Sequence, residues 1–210
     1  EVTRQFLKAQ GREEDWREIV ADADAEYDET VKIDLSALKP MAACPNSPDN
    51  VELIEKIAGT RVDQVAIGSC TNSSFADMMK VAAILDGKTV AENVSLVIAP
   101  GSKQVLSMLA ANGALAKMVA AGARILECAC GPCIGMGQAP ATDAVSLRTF
   151  NRNFIGRSGT ASAKVYLVSP ETAAVSALTG VITDPRTFDT VVPTLVPESF
   201  PICDNMVVAP

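Results

Sequence analysis

The sequence predicts an α/β fold, a three-layer α/β/α arrangement around a mostly parallel sheet. Three observations predict it. From residue 50 onward, short β-rich runs alternate with helical runs, the pattern that crossover connections between parallel strands produce. Capping serines and glycines stand where those helices would start and stop. Hydrophobic residues make up 48% of the 210 residues but aromatics only 4%, so small aliphatic side chains must fill a core of domain size.

Taken in order, residues 1–30 carry ten acids against four bases, most of the formal charge of −7. They read as one or two surface helices, with Trp16, Ile19 and Val20 as a short apolar stripe. A strand is predicted at 31–35. The stretch from Pro40 to Pro48 follows as an extended connection, because its prolines oppose regular structure, and Cys44 lies in it alone. A buried strand at 62–68 runs into a loop, and a helix at 73–86 ends at Asp86-Gly87. The next strand, 94–99, is closed by Pro100-Gly101. Ser102 caps a helix that breaks at Asn112-Gly113 and resumes to Gly122. Further strands are predicted at 123–127, about 147–150 and 164–168. Ser169-Pro170 then opens a helix that ends at Gly180. Prolines 185, 193, 197, 201 and 210 mark an extended tail. The predicted organisation is therefore an acidic lead-in, short strand and connection over 1–49, an α/β domain over 50–185, and a tail or linker over 186–210.

Composition excludes several classes of function. A pI near 4.7 opposes a protein that tracks a nucleic-acid backbone. No apolar run reaches the roughly 18 residues of a membrane helix, and the opening residues carry neither a basic nor an apolar leader region. With no initiator Met, the chain is expected to be a piece of something longer. There is no histidine, which rules out Ser-His-Asp and Cys-His machinery and HExxH zinc sites within these residues. The six cysteines are too few and too clustered for a stapled secreted domain, so a reducing cytoplasm is expected.

In an open parallel sheet, chemistry gathers on the loops that leave the carboxyl ends of the strands. Three such loops carry unusual residues: 68–74 (GSCTNSS), 128–135 (CACGPCIG) and 151–159 (NRNFIGRSG). Parallel strands would open all three on one edge. Cys130-x-x-Cys133 alone reads as half a zinc site or part of an iron–sulfur site, with a thiol–disulfide pair the lesser reading. Cys70 makes three convergent thiols, one short of a closed tetrahedral zinc site. Cys128 could be a fourth, but so tight a turn would aim it poorly. Asn72 reads by itself as a cap for the helix beginning near Ser73.

The segments 68–73, 129–135 and 150–157 resemble the signature segments of the aconitase family, iron–sulfur hydro-lyases that include homoaconitase and isopropylmalate dehydratase. The flanks at 39–49 and 169–172 resemble the family too, so the likeness covers essentially the whole chain. It implies the fold of an aconitase third domain. It further implies that Cys70, Cys130 and Cys133 hold a 4Fe-4S cluster with one iron free to act as a Lewis acid. Arg152 and Arg157 match arginines of the substrate and cluster pocket, where a guanidinium fork suits a carboxylate. Asn72 and Asn151 match asparagines near the cluster, while Cys128 matches no ligand.

Family enzymes are longer, so the resemblance implies a cluster-ligating domain that is inactive alone. Its expected partners are the remaining domains of the parent chain, one of them swivelling and supplying the catalytic base, and a tricarboxylic acid substrate. No membrane or nucleic-acid partner is expected. The strings SCTNSS and NRNFxGR look more like aconitase than isopropylmalate dehydratase, which predicts interconversion of citrate and isocitrate through cis-aconitate. The alternatives are a homoaconitase, methylcitrate or isopropylmalate dehydratase type of hydro-lyase, and a non-catalytic zinc-binding or cluster-free scaffold. An RNA-binding role is opposed by the acidic charge. The expected location is the cytoplasm, or the mitochondrial matrix in a eukaryote. Preparation in air is expected to give a cluster-free chain with Cys130 and Cys133 oxidised to a disulfide.

Overall fold

Every residue from Gln64 to Gly68 is buried, as a central strand covered on both faces must be. The structure, a computed structural model, describes residues 1–189, 197–202 and 208. The chain divides into two units, Glu1–Lys39 with Pro197–Pro210, and Pro40–Val196. In the larger unit, seven strands form one sheet: β1 (Met41–Ala43), β2 (Val51–Leu53), β3 (Gln64–Gly68), β4 (Ser95–Ala99), β5 (Arg124–Ile125), β6 (Val145–Arg148) and β7 (Lys164–Leu167). Their order is β2-β1-β7-β6-β3-β4-β5. The five strands from β3 to β7 pair in parallel, with Val65 level with Leu96 on one side and Leu147 on the other. The pairs β1–β2 and β1–β7 are antiparallel. The predicted α/β class and mostly parallel sheet are therefore present, and the carboxyl ends of β3, β4, β5 and β6 share one edge.

The helices follow the caps in the sequence. Helix α1 (Val2–Ala9) belongs to the smaller unit and α2 (Ile54–Ile57) is a single turn. In α3 (Phe75–Leu85), Ser74 and Asp77 form a reciprocal capping box, an arrangement worth about 1 kcal/mol. Ser102 caps α4 (Lys103–Ala111), which Gly113, with φ near 81°, separates from α5 (Ala114–Ala120). Ser169 caps α6 (Pro170–Thr179), where Pro170 needs no N–H partner. Ala173, Ala174 and Ala177 on α6 have no exposed surface, and their small side chains let α6 lie close against α3 and β3. Ile67, Leu85, Ile98, Leu109 and Leu147 fill the rest of a mainly aliphatic core, as the scarcity of aromatics requires.

Several elements differ from expectation, β2 and α2 among them, which no sequence signal marked. Residues 31–35 form no strand; a 3-10 turn at Leu35–Ala37, capped by Asp34, stands there instead. Alternating apolar residues need a neighbouring strand to hold them extended, and no described residue pairs with this run. The strand lies instead at Met41–Ala43, inside the proline-bearing connection. Pro40 and Pro45 flank it, so neither removes a ladder N–H from β1.

In the smaller unit the helix ends at Ala9, and the expected apolar stripe does not form: Ile19 is 92% exposed. There Arg4 stacks over Trp16 and bonds Glu13, and the rings of Phe6 and Phe200 meet edge-on at 5.4 Å. The tail expected over 186–210 begins with a 3-10 turn at Pro185–Thr187. Its residues 190–196, 203–207 and 209–210, with Cys203, lie outside the described residues. Among the described residues, no helix is long and apolar enough to cross a membrane.

Candidate functional site

At the end of β3 the backbone turns sharply. Gly68 has φ near +110°, and a Cβ there would overlap the carbonyl of Ala99, so only glycine lets β3 end against β4. Its N–H donates to Thr149 Oγ1 at 2.8 Å, and the Ser69 N–H donates to Ala99 O at 2.8 Å. Ser69 itself sits at φ 76°. This pinned turn sends Cys70 to the open edge of the sheet. Asn72 Nδ2 donates to Thr149 O at 2.6 Å, and Ser73 Oγ donates to Ser69 O. The loop is thereby tied to the ends of both neighbouring strands.

The second loop follows β5. Gly131–Ile134 form a 3-10 turn with Pro132 near its start, and the Cys133 N–H donates to Cys130 O at 3.3 Å. Gly135, with φ near 86°, packs against Ser158 so closely that a Cβ would overlap the Ser158 carbonyl. That approach joins the second loop to the third. In the third, Asn153 is buried and its Nδ2 donates to Cys44 O at 2.7 Å and Val165 O at 3.1 Å. Asn151 Nδ2 donates to Thr71 Oγ1 at 2.7 Å, closing the ring of loops.

Ser69, Cys70, Cys130, Cys133, Phe150, Asn151, Arg152 and Arg157 line one cleft. The Sγ atoms of Cys70 and Cys130 are 3.8 Å apart, and those of Cys130 and Cys133 are 3.0 Å apart. Ser69 Oγ lies 3.0 Å from Cys133 Sγ and 3.6 Å from Cys130 Sγ. Cys133 is buried while Cys70 and Cys130 are exposed. Burial pushes the Cys133 thiol up to about 11. Hydrogen bonds from Cys133 and Ser69 hold Cys130 below the ordinary thiol value, with the Arg157 charge assisting. Cys130 is thus the first thiolate of the pair.

Six of the seven site residues expected from the sequence meet in this cleft. The seventh, Asn72, stands beside it with its amide committed to Thr149. Asn72 does not cap α3; Ser74 does. Cys128 does not line the cleft, and burial raises its thiol. Ser69 was not singled out by the sequence. Its only signal is position, one residue before Cys70 at the end of a buried strand.

The donors could hold a sulfur-ligated metal group. Among the described residues, no three His, Cys, Asp or Glu side chains surround a single ion. An all-thiol, histidine-free set of three suits an iron–sulfur cluster, in which separate irons take separate cysteines. Arg157 Nε is buried with no hydrogen-bond partner among the described residues, a donor beside the sulfurs that suits an anionic group. In kind and number, the residues present fit such a cluster.

Fold and cleft together define an α/β domain with a thiol site on its strand-end loops, and comparison with known sequences gives its class. The model of the aconitase family (aconitate hydratase) matches residues 52–180, and the chain belongs to that family. It is 44% identical over 189 residues to the 3-isopropylmalate dehydratase large subunit 2 of Archaeoglobus fulgidus, covering 90% of this chain and 45% of that protein. It is 41% identical over 191 residues to large subunit 1 of the same enzyme from Thermotoga maritima, covering 90% and 46%. With the large subunit of Herpetosiphon aurantiacus it shares 45% over 167 residues, or 79% and 39%. The chain spans about half the length of the curated relatives it matches.

Proposed function

We propose that this chain is the cluster-bearing part of an isopropylmalate dehydratase-type hydro-lyase, which removes and re-adds water on a hydroxy dicarboxylate. The observation that carries the reading is the meeting of Cys70, Cys130 and Cys133 with Arg152 and Arg157 in one cleft. The names of the relatives favour this substrate class over the citrate and isocitrate expected from the sequence. A physical reason accounts for the change. The strings behind the citrate reading lie on a thiol-bearing and an arginine-bearing loop, which a whole family needs for its shared chemistry. Substrate choice depends also on surfaces beyond these loops.

Cys70, Cys130 and Cys133 would hold a 4Fe-4S cluster, which supplies a Lewis-acidic iron lacking a cysteine ligand. Arg157 and Arg152 bind substrate carboxylates, Arg157 with an Nε donor that no group among the described residues accepts. Asn151, oriented by Thr71, fixes the rim beside them. Ser69 bonds the cysteine sulfurs and stabilises their thiolate form. With no histidine in these 210 residues, we assign the proton acceptor to a separate domain or subunit that closes over the cleft. The relatives are themselves named as large subunits, which supports such a partner.

Anaerobic reconstitution with iron and sulfide tests the reading. About four irons and four sulfides per chain are expected, and Cys70→Ser should lose them. With the loaded chain joined to its partner, 3-isopropylmalate should perturb the cluster's spectrum more than citrate does. One zinc per chain, or no metal under any condition, overturns the cluster; a response to citrate alone overturns the substrate class.

A further inference from the structure

Strand β6 carries a residue that the proposed chemistry does not use. Arg148 has no exposed surface, and arginine is almost never buried so completely without a charged partner. Its Nε donates to Ser146 Oγ at 3.1 Å and its Nη2 to Gln64 Oε1 at 2.8 Å. The same Nη2 donates to Gln138 O at 2.6 Å, while Nη1 donates to Pro132 O. The guanidinium also lies 5.5 Å from the centre of the Phe150 ring. All these acceptors are neutral, and no aspartate or glutamate among the described residues faces the charge.

Two features of this arrangement point at the cysteine loop. The carbonyls of Pro132, inside the turn, and Gln138, four residues past it, flank Cys133 in sequence, so one planar fork ties the turn to the segment that follows it. Gln64 Oε1 also accepts from Ser146 Oγ at 2.7 Å, and Gln64 Nε2 donates to Ala139 O at 3.1 Å. The brace is therefore anchored in β3 and β6, the two rigid strands at the middle of the sheet. The electrostatics agree. Burial lowers Arg148 only to about 10, so the guanidinium stays charged at neutral pH. A buried cation without a counter-ion is costly, and three cysteine thiolates would bring negative charge to the loop it supports.

We propose that Arg148 is the buried positioning residue and counter-charge of the cysteine site, shaping the Cys130–Cys133 turn and stabilising the reduced state of the group it holds. This rests on the cluster reading above. A fixed positive charge nearby favours the more negative, reduced form, so its removal lowers the midpoint potential.

The test compares the reconstituted wild-type chain with Arg148→Met, which loses charge and fork, and Arg148→Lys, which keeps the charge alone. Hydrogen exchange at the amides of residues 131–138 is read on the metal-free chains, and far-UV circular dichroism checks folding. Arg148→Met should lose iron to a chelator roughly tenfold faster or more, with a lowered midpoint potential and faster exchange at 131–138. Arg148→Lys should keep a potential near wild type but show the faster exchange. A folded Arg148→Met with wild-type potential and iron retention overturns the proposal. If Arg148→Met does not fold, wild-type exchange and iron retention in Arg148→Lys overturn it. Failure of the cluster reading is distinct: the wild type itself then loads no iron, which overturns both.

Discussion

Ser69 Oγ lies 3.0 Å from Cys133 Sγ, linking the loop that ends β3 to the turn that follows β5. Across 64 residues of sequence, this contact joins the two loops that bring three thiols to one cleft. Ser69→Ala removes it and the contact to Cys130 without disturbing the backbone bond from Ser69 N–H to Ala99. A reconstituted Ser69→Ala chain should release iron to a chelator about tenfold faster than wild type. An unchanged release rate would show that the hydroxyl does not support the sulfurs.

The two thiols of the turn should ionise in a fixed order. Cys130 is held below the ordinary thiol range by Cys133 and Ser69, whereas burial raises Cys133 to about 11. As pH rises from 6 to 9 in the reduced, metal-free chain, alkylation of Cys130 should increase before that of Cys133. Mass mapping of the labelled peptides reads the order, and equal labelling would refute it.

Linked to this is stability at high pH. The folded Cys133 thiol titrates above the unfolded value, so its burial contributes stability fully present below about pH 9. That contribution is lost as pH rises from about 9 through about 11. In the metal-free chain, Tm should fall across this window, and less so in Cys133→Ala. Identical pH profiles for the two chains would count against it.

Gly68→Ala should destabilise the larger unit by on the order of 1–3 kcal/mol. Its φ near +110° strains any other residue, and the added Cβ would overlap the Ala99 carbonyl. Urea unfolding of the two chains measures the difference. Gly59→Ala, with a similar φ of 85° but open space around the Cβ position, should cost less.

Air should close the turn covalently. Cys130 and Cys133 are neighbouring free thiols, and dioxygen can take two electrons and two protons from them to leave a disulfide. Intact mass should fall by two hydrogens, with the bond mapping to residues 130 and 133. Recovery of both thiols free after prolonged aeration would contradict this.

Much of the fold was legible because local chemistry marks it. Ser74, Ser102 and Ser169 start helices and Gly113 and Gly180 end them, all through bonds spanning a few residues. The run at 31–35 misled because its alternation describes a strand only when a partner is present, and β1 was hidden by prolines that flank it. The cleft was legible in its cysteines, arginines and Asn151, which sit on loops that the α/β pattern sends to one edge. Ser69 and Arg148 were not.

By itself the sequence determined the α/β class, the three thiol-bearing and arginine-bearing loops, and the absence of histidine chemistry from these residues. Only the tertiary structure decided that Ser69 touches two cysteines, that Asn72 turns to Thr149, and that a charged residue in β6 lies wholly buried beneath the cysteine turn. The reason is range. Capping and turn chemistry act between residues a few places apart, but burial and the partner of a side chain depend on which distant strands lie alongside it. Parallel pairing sets Gln64 beside Ser146, and that juxtaposition turns an arginine at the end of a buried strand into a brace.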